Sequence, residues 1–182
     1  MKYNLILIAS AVLLSTLLTA NSCKKGKSPV TEEQLPPETH IGAFTIGFKV
    51  DGKIYTASGK GGLLAGQHVN YSYFADSTID ISIGNTESKF NLHIMFKYLG
   101  SLGIYVLKFT PNRGEFYDNS NGSIPGSLNT YTTDTINNGY VNIKYFTATI
   151  GGILAGTFEM NAINGNGKVI HITEGRFDIG NK

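Results

Sequence analysis

From residue 44 onwards, apolar side chains recur at every second position in short runs, and Gly, Asn and Asp separate the runs. A period of two is the repeat of a β-strand with one buried face, whereas an amphipathic helix repeats every 3.6 residues. Residues 44–50 form the first run, and Asp51 and Gly52 after it favour a two-residue hairpin turn. Residues 54–56 then continue as the partner strand.

The same alternation predicts strands along the rest of the chain. In residues 89–98, for example, apolar residues at even positions alternate with Asn, His, Met and Lys, so one face is buried and the other is solvated. Residues 112–128 are rich in Gly, Asn and Ser and are predicted to be a loop, whereas residues 164–167 (Asn-Gly-Asn-Gly) close a hairpin. The further predicted strands are 70–74, 78–83, 89–98, 104–109, 129–133, 141–150, 153–163 and 168–179.

These runs predict an all-β fold, a single antiparallel β-barrel or β-sandwich of about 9–10 strands. The 22 glycines, 10 tyrosines and 10 phenylalanines also favour strands and tight turns over helices. Both architectures bury one face of every strand and limit exposed edges, so the pattern does not choose between them. Outside the first 22 residues we expect at most one short helical turn, near residues 62–67.

The N-terminal 22 residues have the order of a secretory signal peptide. Lys2 is followed by a largely apolar run, residues 5–18, and then by small or polar residues up to Ser22. The run is shorter than the roughly 20 apolar residues that a permanent transmembrane helix needs. We therefore expect residues 1–22 to be removed during export.

Cys23 is the only cysteine, so it has no disulfide partner within the chain. Ala20, Ser22 and Cys23 resemble the bacterial lipobox, in which the cysteine receives a diacylglyceryl group before the signal peptide is cut off. Asn21 is an unusual residue at its position in that motif. The resemblance implies lipid attachment at Cys23 and a membrane as the first partner; the alternative is ordinary cleavage that leaves a free thiol.

Residues 23–39 are predicted to be a linker, and residues 40–182 the all-β domain. The segment 24–39 reads KKGKSPVTEEQLPPET, which is polar, has no apolar period and contains three of the five prolines. The pair Pro36 and Pro37 favours an extended spacer.

Two segments of the chain resemble an uncharacterised family of small Bacteroidota lipoproteins. Residues 35–55 (LPPETHIGAFTIGFKVDGKIY) contain an LPP-x-T-x-x-G entry and a V-[ND]-G-K hairpin, and residues 156–179 end in GRFDI. The resemblance implies an exported, lipid-anchored, β-rich domain, and it implies no particular activity. The middle of the chain, residues 60–128, takes no part in it.

Charge and histidine spacing argue against several functions. Beyond residue 22 the chain has one more basic than acidic residue, and its one basic cluster, Lys24, Lys25 and Lys27, adjoins the lipid site, so we expect no nucleic-acid partner. The four histidines are scattered without metal-ligand spacing, and we predict neither a metal site nor a cofactor. His93 and His171 either meet across a sheet or face solvent from their strands.

Aromatic clusters are the best candidates for ligand contact, because flat ring faces stack on apolar ring surfaces. Core packing is the alternative interpretation for the same side chains. The candidate ligand-binding residues are Tyr71, Tyr73, Phe74, Phe116 and Tyr117.

The acidic residues leave a catalytic alternative open. Asp80, Glu115, Asp118, Glu159, Glu174 and Asp178 include enough carboxylates for a glycosidase pair, although their spacing does not indicate one. Residues 174–178 (EGRFD) instead favour an edge turn with a local ion pair.

The sequence therefore predicts a non-catalytic domain that binds a small-molecule, glycan or protein ligand at the cell envelope. The alternatives are a glycan-acting hydrolase that uses a carboxylate pair and a structural subunit of an envelope assembly. Because the segment directly after Cys23 is rich in lysine and lacks the acidic residues that resemble Bacteroidota surface-export signals, we expect an outer-membrane anchor facing the periplasm rather than the cell surface.

Overall fold

The computed structural model describes residues 34–59, 69–84, 90–119, 126, 128–149 and 151–180. Cys23, the predicted signal peptide and the predicted turn at residues 62–67 lie outside these ranges. No helix long and apolar enough to cross a membrane occurs in the described part of the chain.

The described residues form eleven β-strands, all in one antiparallel sheet, so the all-β prediction is confirmed. The strands are β1 (Thr45–Val50), β2 (Lys53–Ser58), β3 (Val69–Tyr73), β4 (Thr78–Ile83), β5 (Phe90–Lys97), β6 (Gly103–Leu107), β7 (Arg113–Asp118), β8 (Thr130–Thr132), β9 (Gly139–Phe146), β10 (Ile153–Ile163) and β11 (Val169–Gly180).

The sheet curls into a nearly closed, barrel-like shape. Its strand order is β2, β1, β11, β10, β8, β7, β5, β4 and β3. At the two outer strands the backbone N–H of Val69 donates to the carbonyl of Gly59 at 3.3 Å, so the end of β2 lies beside the start of β3. The first and last strands of the chain, β1 and β11, are direct neighbours.

On the edge that does not pair with β11, β10 pairs with two different strands. Residues Leu154–Met160 pair with β9, which pairs in turn with β6, whereas Ile163 pairs with Thr132 of β8. The branch is possible because the backbones approach closely at Gly139, where a Cβ atom would lie 2.3 Å from the carbonyl oxygen of Glu159. Gly139 therefore fixes the place where β9 joins β10.

Both predicted hairpin turns are present. Asp51 and Gly52 have positive φ angles of 48° and 86°, the conformation of a two-residue turn between β1 and β2. Asn164 closes the turn between β10 and β11: its side-chain oxygen accepts from the backbone N–H groups of Asn166 and Lys168, at 3.1 and 2.9 Å.

Strand β7 lies where the sequence predicted a loop, so that part of the prediction is wrong. Gly114 and Phe116 face inward from this strand, and Arg113 and Glu115 face outward, next to β5 and β8. Because a glycine occupies an inward position, residues 113–118 lack the apolar alternation that identifies a strand in the sequence.

Aromatic side chains fill the interior of the sheet. The ring of Phe48 lies 5.7–5.9 Å from four other rings: it meets Phe90 and Phe116 edge to face, stacks on Tyr55 and is tilted against Phe158. Tyr55 places its hydroxyl at the end of this cluster and donates to Asp118 at 3.0 Å. The core is therefore packed with rings at distances that favour aromatic pairs.

A strap, residues 34–42, crosses the outer face of the sheet before β1 begins. Pro36 covers Gly47, where an added Cβ atom would approach Pro36 Cδ to 2.3 Å. Glu38 forms an ion pair with Lys144 of β9, and His40 stacks on Tyr145 with ring centroids 5.4 Å apart. The described part of the predicted linker thus contacts the domain.

Asp178 of β11 holds the strap in place. Its side chain, only 1% exposed, accepts hydrogen bonds from Thr39 Oγ1 at 2.5 Å and from the backbone N–H groups of Ile41 and Gly42 at 3.0 and 2.8 Å. The prediction of an edge turn at residues 174–178 is wrong, because β11 is an interior strand between β1 and β10. Glu174, with φ 53°, instead marks a bulge within it.

Candidate functional site

The structure divides the five candidate aromatic residues into two groups. Tyr71, Phe116 and Tyr117 are buried. Tyr73 and Phe74, at the end of β3, are 44% and 49% exposed. Only this second pair presents ring surface to a partner.

Tyr73 belongs to an aromatic cluster at one end of the sheet. Phe146, the last residue of β9, is its centre: the rings of Tyr73 and Tyr98 lie 5.6 and 4.9 Å from it, both nearly perpendicular. Tyr98 also contacts Tyr105, at 5.9 Å. Burial, together with the nearby hydroxyls of Tyr105 and Tyr73, raises the pKa of Tyr98 above its usual value, so Tyr98 remains uncharged around neutral pH.

Exposed aliphatic side chains surround this cluster. Leu99 and Leu102, in the turn between β5 and β6, are 76% and 55% exposed, and Ile41 of the strap is 73% exposed. Strand directions place the leucines together with the cluster, since β3, β5 and β9 end where β4 and β6 begin. Gly42, next to Ile41, lies beside Gly180 and Ile153, one residue from the pair Leu154 and Phe146. We call this surface the apolar end; its members are Ile41, Tyr73, Phe74, Leu99 and Leu102.

Specific contacts connect the parts of the apolar end. The backbone N–H of Tyr98 donates to the carbonyl of Ser77 at 2.8 Å, which joins the β5–β6 turn to the β3–β4 turn. Phe146 touches both turns through Tyr98 and Tyr73, and its neighbour Tyr145 stacks on His40 of the strap. Three separate segments of the chain therefore form one surface.

The opposite end of the sheet has a different character. Its described turns include Asp51–Gly52 and residues 164–168, which consist of polar residues and glycine, and Leu128 is exposed beside them. Among the described residues, these two turns therefore expose less apolar surface than the apolar end does.

A polar cluster lies on the outer face of β4, β5 and β7. His93 Nδ1 is 3.5 Å from Asp80 Oδ1, and Ser82 and Glu115 are the direct cross-strand neighbours of His93. The nearby carboxylate of Asp80 raises the pKa of His93, burial lowers it, and Glu115 and Arg113 make smaller contributions, upward and downward respectively. Asp80 and Glu115 therefore lie on either side of His93 on neighbouring strands.

Several of the other carboxylates have structural partners. Glu174 binds Lys49 at 2.6 Å, Asp118 accepts from Tyr55, and Asp178 holds the strap. The second predicted strand histidine, His171, pairs its Nδ1 with Asn161 Oδ1 at 2.7 Å and does not meet His93. Within the described ranges, no three His, Cys, Asp or Glu side chains converge as metal ligands would.

Small depressions occur along the strap. One, of about 180 Å³, lies between Glu38, His40 and Tyr145. It is below the roughly 300 Å³ typical of small-molecule sites. A wider one, of about 490 Å³, opens beside Gln34 and Pro36.

Sequence reasoning missed the aliphatic part of the apolar end. A signal was present: residues 99–103 (Leu-Gly-Ser-Leu-Gly) place two leucines inside a turn, where they cannot be part of a strand's buried face. Ile41 had no comparable signal, because its position depends on the strap.

Comparison with known proteins gives no further guidance. No protein-family model matches the chain, and no curated protein or solved structure matches it.

Proposed function

We propose that this protein is an exported lipoprotein, anchored through Cys23, whose barrel-like domain binds a partner at the cell envelope without catalysing a reaction. The observation that carries the proposal is the apolar end, since uncharged apolar surface concentrated at one site favours contact with another body over exposure to water. The lipobox-like residues before Cys23 and the family resemblance support the anchor.

The arrangement of the carboxylates supports a binding role over hydrolysis. A glycosidase needs two carboxyl groups that face each other across a cleft, about 5–10 Å apart. Asp118, Glu174 and Asp178 instead make structural contacts, and Asp80 and Glu115 flank His93 on the outer face of the sheet. We therefore favour non-catalytic binding from an outer-membrane anchor that faces the periplasm.

The anchor is tested with Cys23→Ser. We expect the wild-type chain to incorporate an alkyne-labelled fatty acid and to remain with membranes at high salt. The variant should lose the label, retain its signal peptide and leave the membrane fraction when the signal peptide is cut off artificially. Fatty-acid labelling of the variant at the wild-type level would contradict lipid attachment at residue 23.

The contact surface is tested by thiol protection, because an acylated Cys23 leaves an introduced cysteine as the only free thiol. In isolated cell envelopes we expect Phe74→Cys to react several-fold more slowly with a fluorescent maleimide than Asn166→Cys, in the turn at the opposite end. Detergent should abolish the difference. Equal rates before detergent would mean that the apolar end has no partner.

A further inference from the structure

We infer that the partner of the apolar end is the surface of the bilayer that holds the Cys23 lipid, an inference that rests on the proposed function. The apolar end of the barrel then faces the membrane, and Leu99 and Leu102 insert into the boundary between headgroups and acyl chains. The observations that carry this are the reach of the tether and the chemistry of the exposed side chains.

The tether is short compared with the domain. Eleven residue steps separate Cys23 from Gln34, and at 3.3–3.6 Å per residue they reach at most about 40 Å. Strand β11 alone has 12 residues, also about 40 Å at 3.3 Å per residue. A fully extended tether is therefore only as long as the sheet.

The tether joins the domain partway along the sheet, since Pro36 packs on Gly47 within β1. Gln34 borders a depression with Thr45 and Ser58, and the backbone after Ser58 lies beside Val69 at the start of β3, whereas Tyr73 and Phe74 are at the other end of β3. The tether therefore holds the domain within about 40 Å of the membrane and allows the apolar end to face it. The exposed side chains then decide which end faces the bilayer.

The side chains of this surface suit a lipid interface. Leucine and isoleucine lower their free energy by leaving water for the acyl-chain boundary, and tyrosine rings prefer the headgroup level, with the hydroxyl in water. Asp76, the carboxylate in the same region, is turned back to Thr78, whose N–H and Oγ1 lie 3.1 and 2.9 Å from it. Lys24, Lys25 and Lys27 beside the lipid suit anionic headgroups.

A glycan fits the apolar end less well. Sugar sites combine flat ring faces with convergent hydrogen-bonding groups, whereas Leu99, Leu102 and Ile41 offer neither. Surface binding to a bilayer instead depends on buried apolar area and tolerates irregular shape.

The test uses the full-length, acylated protein reconstituted into vesicles of phosphatidylethanolamine and phosphatidylglycerol, with no other component. Leu99→Cys and Asn166→Cys are each labelled with the polarity-sensitive fluorophore NBD. We expect a blue shift and a several-fold gain in emission at residue 99, quenched by lipids that carry a nitroxide near the headgroup, and neither change at residue 166.

The results of this experiment distinguish the possible orientations and partners of the domain. Similar changes at residues 99 and 166 would show that the barrel lies flat, and this would overturn the end-on arrangement. No change at residue 99, while Phe74→Cys remains protected in whole envelopes, would overturn the bilayer as partner and leave the proposed binding function standing. If muramidase digestion of the cell wall then removed that protection, the partner would be a glycan.

A second variant separates insertion from anchoring. Leu102→Ser, with NBD at residue 99, should reduce the emission gain while the protein still floats with the vesicles through its lipid. Because Leu102 is 55% exposed, the folded state should keep its circular dichroism spectrum and melting temperature. An unchanged emission gain would contradict insertion of this turn.

Discussion

Asp178 connects parts of the described chain that are far apart in sequence. Its carboxylate, on the last strand, accepts hydrogen bonds from the strap that precedes the first strand. Asp178→Asn keeps the size of the side chain but turns an amide N–H₂ towards donors. We expect it to lower the free energy of unfolding by about 2–4 kcal/mol, because hydrogen bonds to a charged group contribute most. Urea denaturation followed by tyrosine fluorescence measures the change.

Thr39→Val is the matched control for Asp178→Asn, because it removes one of the three hydrogen bonds and leaves both backbone donors in place. We expect a loss of about 1 kcal/mol. Equal effects of the two variants would mean that the backbone bonds contribute nothing.

His93 should make stability depend weakly on pH. Its pKa is raised in the folded state, chiefly by Asp80, so protonation stabilises the fold; the effect is complete below the unfolded pKa of about 6.5 and is lost as pH rises through the folded pKa. The side chain is 47% exposed, so solvent screens most of the interaction.

NMR titration measures this pKa directly. In Asp80→Asn we expect the pKa of His93 to fall relative to wild type. An unchanged pKa of His93 would show that Asp80 does not interact with the ring.

Single residues were predicted less well than the strands that contain them. Alternation correctly identified the strand that holds Tyr71, yet both core packing and ligand contact fitted its ring. Tyr73 has the same orientation as Tyr71, but it lies at the end of β3, where the core no longer covers it. Exposure therefore depends on where a strand ends, and sequence locates strand ends poorly.

At the scale of the strands, the branch at β10 depends on a close backbone approach. In Gly139→Ala, the added methyl group would lie 2.3 Å from the carbonyl oxygen of Glu159, and backbone atoms cannot yield without separating β9 from β10. We expect a loss of at least about 3 kcal/mol, measured by thermal melting.

Gly114→Ala provides the comparison. The new methyl group would lie 2.0 Å from Met160 Sδ, the flexible part of a side chain that can change rotamer. The loss should be smaller than in Gly139→Ala. The reverse order would indicate that β9 tolerates displacement and that the branch is not fixed at Gly139.

Ten of the eleven strands follow from the period of two, because an inward apolar face is a local property of the sequence. Strand β7 does not, since its inward positions include Gly114, which packs against Met160 across the barrel. The sequence also does not predict the strap, because the contacts of the strap are not local. Residues 34–39 are polar and proline-rich, and their partners, Gly47, Lys144 and Asp178, are distant in sequence.

At the scale of the whole molecule, the pairing of β1 with β11 makes the fold depend on its first and last described strands together. Removing residues 165–182 would leave β1 and β10 without a shared neighbour and open the core at Ile172 and Phe177. We expect this truncated protein to show no cooperative thermal transition by circular dichroism. A chain lacking only residues 181–182 should melt like wild type, and a cooperative transition in the longer truncation would contradict the dependence on β11.

The strap also determines how the domain responds to mechanical load. Any pull on the chain from its N-terminal side reaches Pro36 and the Glu38–Lys144 ion pair first, and next the hydrogen bonds at Asp178. These contacts must break before the load reaches β1, which pairs with β2 on one side and with β11 on the other. The strap thus protects the pairing of β1 with β2 and β11 from a mechanical load that acts on the N-terminal side of the chain.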